Sequence, residues 1–199
     1  NRAALYSGKA LSFDGVNDSV SVADSDLPSG TSSRTISAWI YPNANANGRI
    51  FSYGTGSTSA AFDIITQTST NVLAVIGYGN NYFSNYQVET NKWTFISVTL
   101  SNATIKMYAN GIEVYSVDSV SIDTILSGTA EIGKSAWGTN YFNGLMSGVR
   151  VFNTALTAAQ IADLYNFPEK IVPTGLESNL KLWLPMMEGA GTTAYDGSG

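Results

Sequence analysis

The sequence predicts an all-β fold, a two-sheet antiparallel sandwich of the jelly-roll type with one short C-terminal helix. The first observation is that 44% of the 199 residues are hydrophobic, which is enough to bury a sizeable core. The second is a series of short runs in which apolar and polar residues alternate, separated by Gly, Asn, Ser and Asp. The third is that a single segment has helical spacing. Strands that recur at such short intervals are typical of sandwiches and jelly rolls.

The N-terminal strands are predicted from alternation. The runs KALSFDG and SVSVAD flank a GVND turn, and RTISAWIYP follows them. In RTISAWIYP, Ile36, Ala38 and Ile40 share one face of the strand, because successive side chains point to opposite faces. Trp39 and Tyr41 lie on the other face, so we expect that face to be covered as well. The runs RIFSYG, AAFDIIT, NVLAVIGYG and FSNYQVE supply the next strands.

A tight hairpin is predicted in the second half of the chain. The run KWTFISVTLSNATIKMYANGIEVYSVD contains three alternating strands joined by two turns. Asn110 and Gly111 tolerate the positive φ that a type I′ turn requires at both central positions, so they predict a two-residue loop. TAEIGKS and YFNGLMSGVRVFN supply two further strands.

The helix is predicted in NTALTAAQIADLYNF, where Leu156, Ile161 and Leu164 recur near helical spacing. Tyr165 extends the same face. Thr157 is the expected N-cap, because its hydroxyl oxygen can accept a hydrogen bond from the first turn. The stretch PEKIVPTG that follows indicates a linker.

Composition argues against several functions. The net charge is −5 and there is no run of basic residues, so nucleic acid and anionic membranes are not expected partners. No apolar run approaches the ~20 residues that span a bilayer, and we expect no membrane insertion. The absence of Cys and His removes thiol nucleophiles, disulfides, Ser-His-Asp triads and most zinc or iron sites. Charged residues make up only 13% of the chain, a composition that favours a secreted or surface-exposed β protein.

Four motifs together resemble a known family. ALSFDGVNDSVSV, RTISAWIYP, NKWTFISVTLSNATIKMYANGIEVYS and FNGLMSGVRVFNTALTAAQIADLY occur in the order found in laminin G-like domains. These domains belong to the concanavalin A-like lectin and glucanase group, and the resemblance covers residues 9–166. It implies a concanavalin A-like jelly roll within an extracellular, cell-surface or virion-surface protein.

The C-terminal stretch resembles the first strand of the same family. That strand normally precedes the ALSFDG strand, whereas here LKLWLPMMEGAGTTAYDGSG follows the helix. We therefore divide the chain into a jelly roll at 1–168, a linker at 169–178 and a family-type first strand at 179–199. The last segment either completes the same sandwich as a permuted strand, which we favour, or begins the next copy of a tandem array.

Catalysis is not expected. Glycosidases usually need two carboxylates about 5–10 Å apart, and the glucanases that the sequence resembles carry E-x-D-x-x-E on one strand. No such motif occurs here, and Glu113 and Glu131 stand alone in their strands. A glycoside hydrolase is therefore the least supported function.

Calcium is the metal that the resemblance implies, and we expect any such ion to be structural and weakly bound. Carboxylate and amide oxygens are suitable ligands, although Asp, Gly and Asn also favour a plain hairpin turn without an ion. Ser147 and Gly148 stand where relatives have acidic residues, which argues against a tight site. The candidate ligands are Asp14, Asn17, Asp18 and Asp24.

Sugar binding needs aromatic rings that stack on the apolar faces of pyranoses and amides that bind hydroxyls. The stretches GYGNNYFSNY, SAWGTNYFNG and NANANGR carry such residues. Trp137 lies outside any alternating run and is the best candidate for an exposed ring. Trp39, Trp93 and Trp183 are instead expected in the core. The predicted carbohydrate-binding residues are Trp137, Tyr141, Asn143, Tyr78, Asn81 and Tyr82.

These features predict a non-catalytic recognition module that binds carbohydrate, such as a cell-surface glycan, or a neighbouring repeat or subunit. The alternative is a structural spacer or protein-interaction domain of a fibre, adhesin or virion. Loop chemistry distinguishes the two, because a binder exposes its loop aromatics around one pocket whereas a spacer buries them.

Overall fold

The computed structural model describes residues 9–44, 47–67, 69–188 and 192–198. The described residues form short β-strands and one short α-helix. The strands are β1 (Leu11–Asp14), β2 (Val20–Ala23), β3 (Arg34–Pro42), β4 (Gly48–Gly54), β5 (Ala61–Thr66), β6 (Val72–Ile76), β7 (Asn81–Gln87), β8 (Thr94–Ser101), β9 (Thr104–Ala109), β10 (Ile112–Val117), β11 (Thr129–Ile132), β12 (Asn143–Phe152) and β13 (Leu180–Leu184). The helix α1 spans Ala158–Asn166.

The strands form two antiparallel sheets. The seven-stranded sheet has the order β1-β12-β3-β8-β9-β10, and β13 also pairs with β12. The six-stranded sheet has the order β2-β11-β4-β5-β6-β7. Non-consecutive neighbours in both sheets show that the chain crosses repeatedly from one sheet to the other. The predicted all-β jelly-roll sandwich is confirmed.

The core lies between the sheets, and the sequence alternation determines which side chains enter it. Ile36 and Ile40 of β3 face inward together with Val98 of β8. Ile64 of β5 and Val75 of β6 meet them from the other sheet. Burial of side chains of this size contributes roughly 2 kcal/mol each, so the interface between the sheets is the main source of stability.

The two predicted local motifs occur as expected. Asn110 and Gly111 both have positive φ, 52° and 81°, and they join β9 to β10. Thr157 caps α1, because its hydroxyl accepts a hydrogen bond from the backbone N–H of Gln160 while the Gln160 side chain accepts one from the backbone N–H of Thr157. Within the described residues, no helix is long and apolar enough to cross a membrane.

A second hydrophobic cluster covers the outer face of the seven-stranded sheet. Trp39 and Phe95 project from that face and pack against Ile161 and Leu164 of α1. The stretch 169–178 also runs against this face. Arg150 is buried and donates hydrogen bonds to four backbone carbonyls there, those of Gly148, Pro168, Lys170 and Ile171.

The C-terminal strand pairs within the seven-stranded sheet. β1 pairs with the Asn143–Met146 half of β12, whereas β13 pairs with the half from Val149 to Phe152. β3 pairs with both halves from the other side, so β1 and β13 share one edge of the sheet end to end. A place for this segment in a neighbouring copy, or in a tandem array, stays a prediction.

Candidate functional site

A pocket of about 340 Å³ lies on the outer face of the six-stranded sheet. We call it the Tyr78 pocket. It forms here because Ile64 and Val75 face the core, so that Ile65, Ala74 and Ile76 point outward and pack beneath Trp137. The lining residues are Asn47, Arg49, Ile65, Gln67, Ile76, Tyr78, Gly79, Asn81, Phe83 and Trp137.

Tyr78 stands at the tip of the β6–β7 hairpin. Tyr78 and Gly79 are the central residues of a two-residue loop, and both have positive φ, 54° and 97°. The loop closes through a 3.0 Å hydrogen bond from the Gly77 N–H to the Asn80 carbonyl. A bulky residue in the left-handed region is uncommon, because its side chain is crowded there. The hairpin nevertheless holds the Tyr78 ring outward with 42% of its surface exposed.

Trp137 forms the half-buried wall of the pocket. Its ring meets Tyr78 edge to face, with centroids 5.0 Å apart. The guanidinium carbon of Arg49 lies 5.5 Å from the centroid of the Trp137 ring. Apolar side chains beneath it and a cation beside it therefore fix the ring in place.

The Arg49 contact depends on a buried ion pair. Arg49 Nε lies 3.1 Å from Asp63 Oδ2, and the hydroxyl of Ser52 donates a 2.7 Å hydrogen bond to the other carboxylate oxygen. Burial raises the pKa of Asp63 to about 6, against the opposing effects of the Ser52 hydrogen bond and the Arg49 charge. The Trp137 indole N–H also lowers this pKa, although it makes no hydrogen bond of normal geometry. The Arg49 charge is thus balanced directly beneath the pocket.

Three of the predicted sugar-binding residues line this pocket, namely Trp137, Tyr78 and Asn81. Tyr82 does not, because it follows Asn81 on β7 and therefore points to the other face of the sheet. It packs against the core, and its hydroxyl accepts a 2.8 Å hydrogen bond from the Ser121 N–H. The expected placement of Tyr82 beside Asn81 in one site does not occur.

Tyr141 and Asn143 also lie outside the lining of the pocket. Tyr141 makes an isolated antiparallel bridge with Lys134. Asn143 begins β12 and holds the β1–β2 turn, because its side-chain amide donates a 3.2 Å hydrogen bond to the Asp14 carbonyl. The structure therefore gives both residues local roles in the loops that flank β12.

Seven lining residues lie outside the set predicted from sequence, and among them Phe83 adds an aromatic ring and Gln67 an amide. Phe83 is 39% exposed. It follows Asn81 by two residues and therefore lies on the same face of β7. Gln67 follows β5 and supplies an amide. The alternation of β7 was the available signal for Phe83, because it places residues 81 and 83 on one face. No comparable local pattern marked Gln67.

The Tyr78 pocket has no catalytic carboxylate among its described lining residues. Asp63 lies beneath it but is fully buried and paired with Arg49. General acid–base hydrolysis of a glycoside needs two accessible carboxylates on either side of the bond. The lining is instead aromatic and amide-rich.

The calcium candidates in the β1–β2 turn are bonded to backbone N–H groups. Asp14 Oδ1 accepts hydrogen bonds from the N–H groups of Val16 and Asn17, at 2.7 and 3.2 Å. Asp18 Oδ2 accepts one from the Asp14 N–H at 2.9 Å. These backbone donors hold the pKa of Asp14 below its usual value. These hydrogen bonds stabilise the β1–β2 turn.

Asp24 lies at the opposite end of β2 from that turn and is buried. Its carboxylate accepts hydrogen bonds from the N–H groups of Ser127 and Gly128. In the described part of the chain, no three Asp or Glu side chains come together as metal ligands. A structural calcium ion stays a prediction that would need backbone carbonyls to complete its coordination.

Comparison with known proteins identifies the family. The laminin G family model, described as the concanavalin A-like lectin/glucanases superfamily, matches residues 14–162. The chain belongs to this superfamily. The adhesion G-protein coupled receptor V1 of Danio rerio is 22% identical in an alignment of 180 residues that covers 84% of this chain and 3% of the receptor. The chain thus spans a very small part of that relative.

Two solved structures of similar proteins share the superfamily fold. One is domain 4 of an extracellular arabinanase from Geobacillus stearothermophilus in complex with arabinotriose. It has a TM-score of 0.65 and 23% identity over 78% of this chain and 76% of that chain. The other is a Bacteroides ovatus protein assigned to carbohydrate binding. It has a TM-score of 0.71 and 21% identity over 96% of this chain and 56% of that chain.

Proposed function

We propose that this chain is a non-catalytic carbohydrate-recognition module and that its ligand site is the Tyr78 pocket. The observation that carries the proposal is the exposure of two aromatic rings, Tyr78 at 42% and Phe83 at 39%, beside the half-buried Trp137. Aromatic side chains grouped around one pocket are suited to stack on the apolar faces of sugar rings.

Amide groups surround these rings. Asn47, Gln67 and Asn81 line the pocket and offer donors and acceptors for sugar hydroxyls. Arg49 is balanced by Asp63, so the lining favours a neutral sugar over an anionic one. An open, wet and neutral site should bind one sugar unit with a Kd of about 1 mM, which corresponds to about 4 kcal/mol.

The strained hairpin tip supports the same function. Tyr78 has a φ of 54°, where Gly or Asn would be comfortable. Retaining a large ring at such a position costs on the order of 1 kcal/mol. Strained backbone conformations of this kind often occur at ligand-binding sites.

The comparisons agree with this function. The similar arabinanase domain was solved with arabinotriose, and the similar Bacteroides ovatus protein is assigned to carbohydrate binding. The related receptor is an adhesion protein. We therefore place the module in an extracellular or surface protein, with glycans as partners. A tandem array of such modules would raise the overall affinity, because linked copies increase the effective concentration of each later contact.

The experiment uses two variants that remove the exposed rings. Tyr78→Gly also relieves the left-handed strain, so its melting temperature should stay close to that of the wild type, and Phe83→Ala removes a surface ring. Retention on a glycan array and arabinotriose titration should each weaken at least about fivefold in both variants, because each loses one stacking face. Tyr195→Ala is the matched control, since Tyr195 is 68% exposed and lies outside the pocket.

Three results would contradict the proposal. Unchanged glycan retention in Tyr78→Gly and Phe83→Ala would show that the pocket is not the site. A wild-type chain that retains no glycan in the array would favour the structural spacer. Hydrolysis of a bound oligosaccharide by the wild-type chain would instead favour an enzyme.

A further inference from the structure

A second groove, of about 450 Å³, lies on the outer face of the seven-stranded sheet. We call it the Trp93 groove. It is on the opposite side of the sandwich from the Tyr78 pocket, because the two sheets turn their outer faces away from each other. Its aromatic lining residues are Trp39, Tyr41, Trp93 and Tyr165, and Asn91 and Asn110 lie beside them.

The aromatic residues form two ring pairs. Tyr41 and Trp93 have centroids 5.6 Å apart at an interplanar angle of 57°. Trp39 and Tyr165 are stacked, with centroids 5.7 Å apart at 30°. Trp39 is only 2% exposed and forms the floor, whereas Trp93, Tyr41 and Tyr165 are half-buried and accessible. The placement of Trp93 therefore differs from the core position that its sequence context predicts.

The side-chain amide of Asn110 is held in place by the protein itself. The Phe95 N–H donates a 3.0 Å hydrogen bond to Asn110 Oδ1, and the Asn110 N–H donates a 2.8 Å bond to the Phe95 carbonyl. The side-chain oxygen is thereby turned toward Phe95, and the amide nitrogen is the end that can donate to a ligand. The Asn91 N–H donates a 2.7 Å bond to the Pro42 carbonyl, which fixes the backbone beside Trp93.

Charge and hydrogen bonding indicate the class of ligand. The ammonium group of Lys92, which also lines the groove, pairs with Glu89 at 2.7 Å, so the site is close to neutral. The indole N–H of Trp39 is buried and has no hydrogen-bond partner within the described residues. Because this N–H is not accessible, Trp39 can offer a ligand only the surface of its ring. Accessible aromatic rings, the fixed amide of Asn110 and a balanced charge together suit a neutral sugar.

We propose that the Trp93 groove is a second carbohydrate site, which binds one neutral sugar unit independently of the Tyr78 pocket. Two sites on opposite faces would let one module connect two glycan chains or two segments of one polysaccharide. The two sites share no lining residue, so the proposal for the Trp93 groove can be tested separately from the function proposed for the Tyr78 pocket.

The test uses the four tryptophans of the chain as separate reporters. The full chain is labelled with 5-fluorotryptophan, and each fluorine signal is assigned by one Trp→Phe variant. Arabinotriose and cellotriose are titrated to about 20 mM, well above a millimolar Kd. We expect the Trp39 and Trp93 signals to shift and saturate with at least one of these sugars, while the Trp183 signal stays in place.

Variants separate the two sites. In Trp93→Ala the saturating shift of Trp39 should weaken at least about fivefold, because one stacking wall is lost. The unchanged signals of Trp137 and Trp183 would show that the fold is intact. In Tyr78→Gly the Trp39 and Trp93 shifts should persist, and Tyr195→Ala is the neutral control for both sites.

Three outcomes would overturn the second site. The first is the absence of any Trp39 or Trp93 shift with both sugars. The second is a shift that survives Trp93→Ala unchanged. The third is a shift produced by a decaproline peptide and by neither sugar, which would assign the groove to an extended peptide. Movement of Trp137 alone would leave the Tyr78 pocket as the only sugar site.

Discussion

Replacing Asp63 by Asn should abolish a pH dependence of stability that the wild-type chain has between about pH 4 and pH 7. Burial raises the pKa of Asp63 from 3.8 to about 6 in the folded chain. The folded chain therefore holds a proton that the unfolded chain has already released between these two values. The stabilisation is fully present below the unfolded pKa and is lost as the pH rises through the folded pKa.

The magnitude follows from the size of the shift. A rise from 3.8 to about 6 is roughly two pKa units, and at about 1.4 kcal/mol per unit it corresponds to about 3 kcal/mol. For a chain of this length, 1 kcal/mol changes the melting temperature by about 2–4 °C. The melting-temperature difference between wild type and Asp63→Asn should thus shift by about 6–12 °C over this range, with the wild type relatively more stable at the acidic end.

The assay is thermal unfolding of both proteins, followed by circular dichroism at several pH values. Asp26→Asn is the matched control, because it neutralises an exposed Asp that lies outside the Arg49–Asp63 pair. A constant melting-temperature difference between wild type and Asp63→Asn across the pH range would refute the reasoning. It would mean that Arg49 compensates the burial of Asp63 completely.

Three further experiments test the fold and the predicted calcium ion. Arg34→Lys should lower the melting temperature by roughly 6–20 °C in a thermal scan. All five N–H donors of the buried guanidinium make hydrogen bonds, whereas an ammonium group supplies only three donors. A decrease in melting temperature within experimental error would show that water replaces these hydrogen bonds. Deleting residues 176–199 should lower the melting temperature by roughly 10 °C and increase the binding of a hydrophobic dye, because Leu180, Leu182 and Leu184 are buried. An unchanged melting curve would exclude a stabilising role for β13. Any calcium binding that calorimetry detects after chelator treatment should have a Kd above about 1 µM, because the Asp14 and Asp18 carboxylates already accept hydrogen bonds from backbone N–H groups. A sub-micromolar Kd would contradict this expectation.

Local sequence patterns determined the elements of this fold. Alternation assigned Ile36 and Ile40 to the core face of β3, and the Asn110–Gly111 pair predicted a type I′ hairpin. Thr157, predicted as the N-cap, marked the start of the helix, and the structure adds its capping box with Gln160. These features depend on side chains a few residues apart, and the physical rules that connect them to backbone geometry act at the same short range.

The candidate site could be predicted only in part. Trp137, Tyr78 and Asn81 were recognisable as loop aromatics and amides, and they do line one pocket. Alternation along β7 places Tyr82 on the opposite face from Asn81 and Phe83 on the same face as Asn81. Both placements follow once one face of β7 is known to pack against the core. The boundary of β7, rather than its composition, was the missing information.

Tertiary structure alone decided which distant segments meet. The β4–β5 register brings Arg49 next to Asp63, and the loop after β11 lays Trp137 over that pair. The Trp93 groove likewise needs β3, the start of β8 and α1 to converge on one outer face. Such contacts arise from the order of strands within each sheet, which is fixed by the packing of the whole core. The sequence of one strand does not specify which strands pair with it. It therefore determines on which face of the sheet a side chain lies, but not which residues of other strands lie beside that side chain.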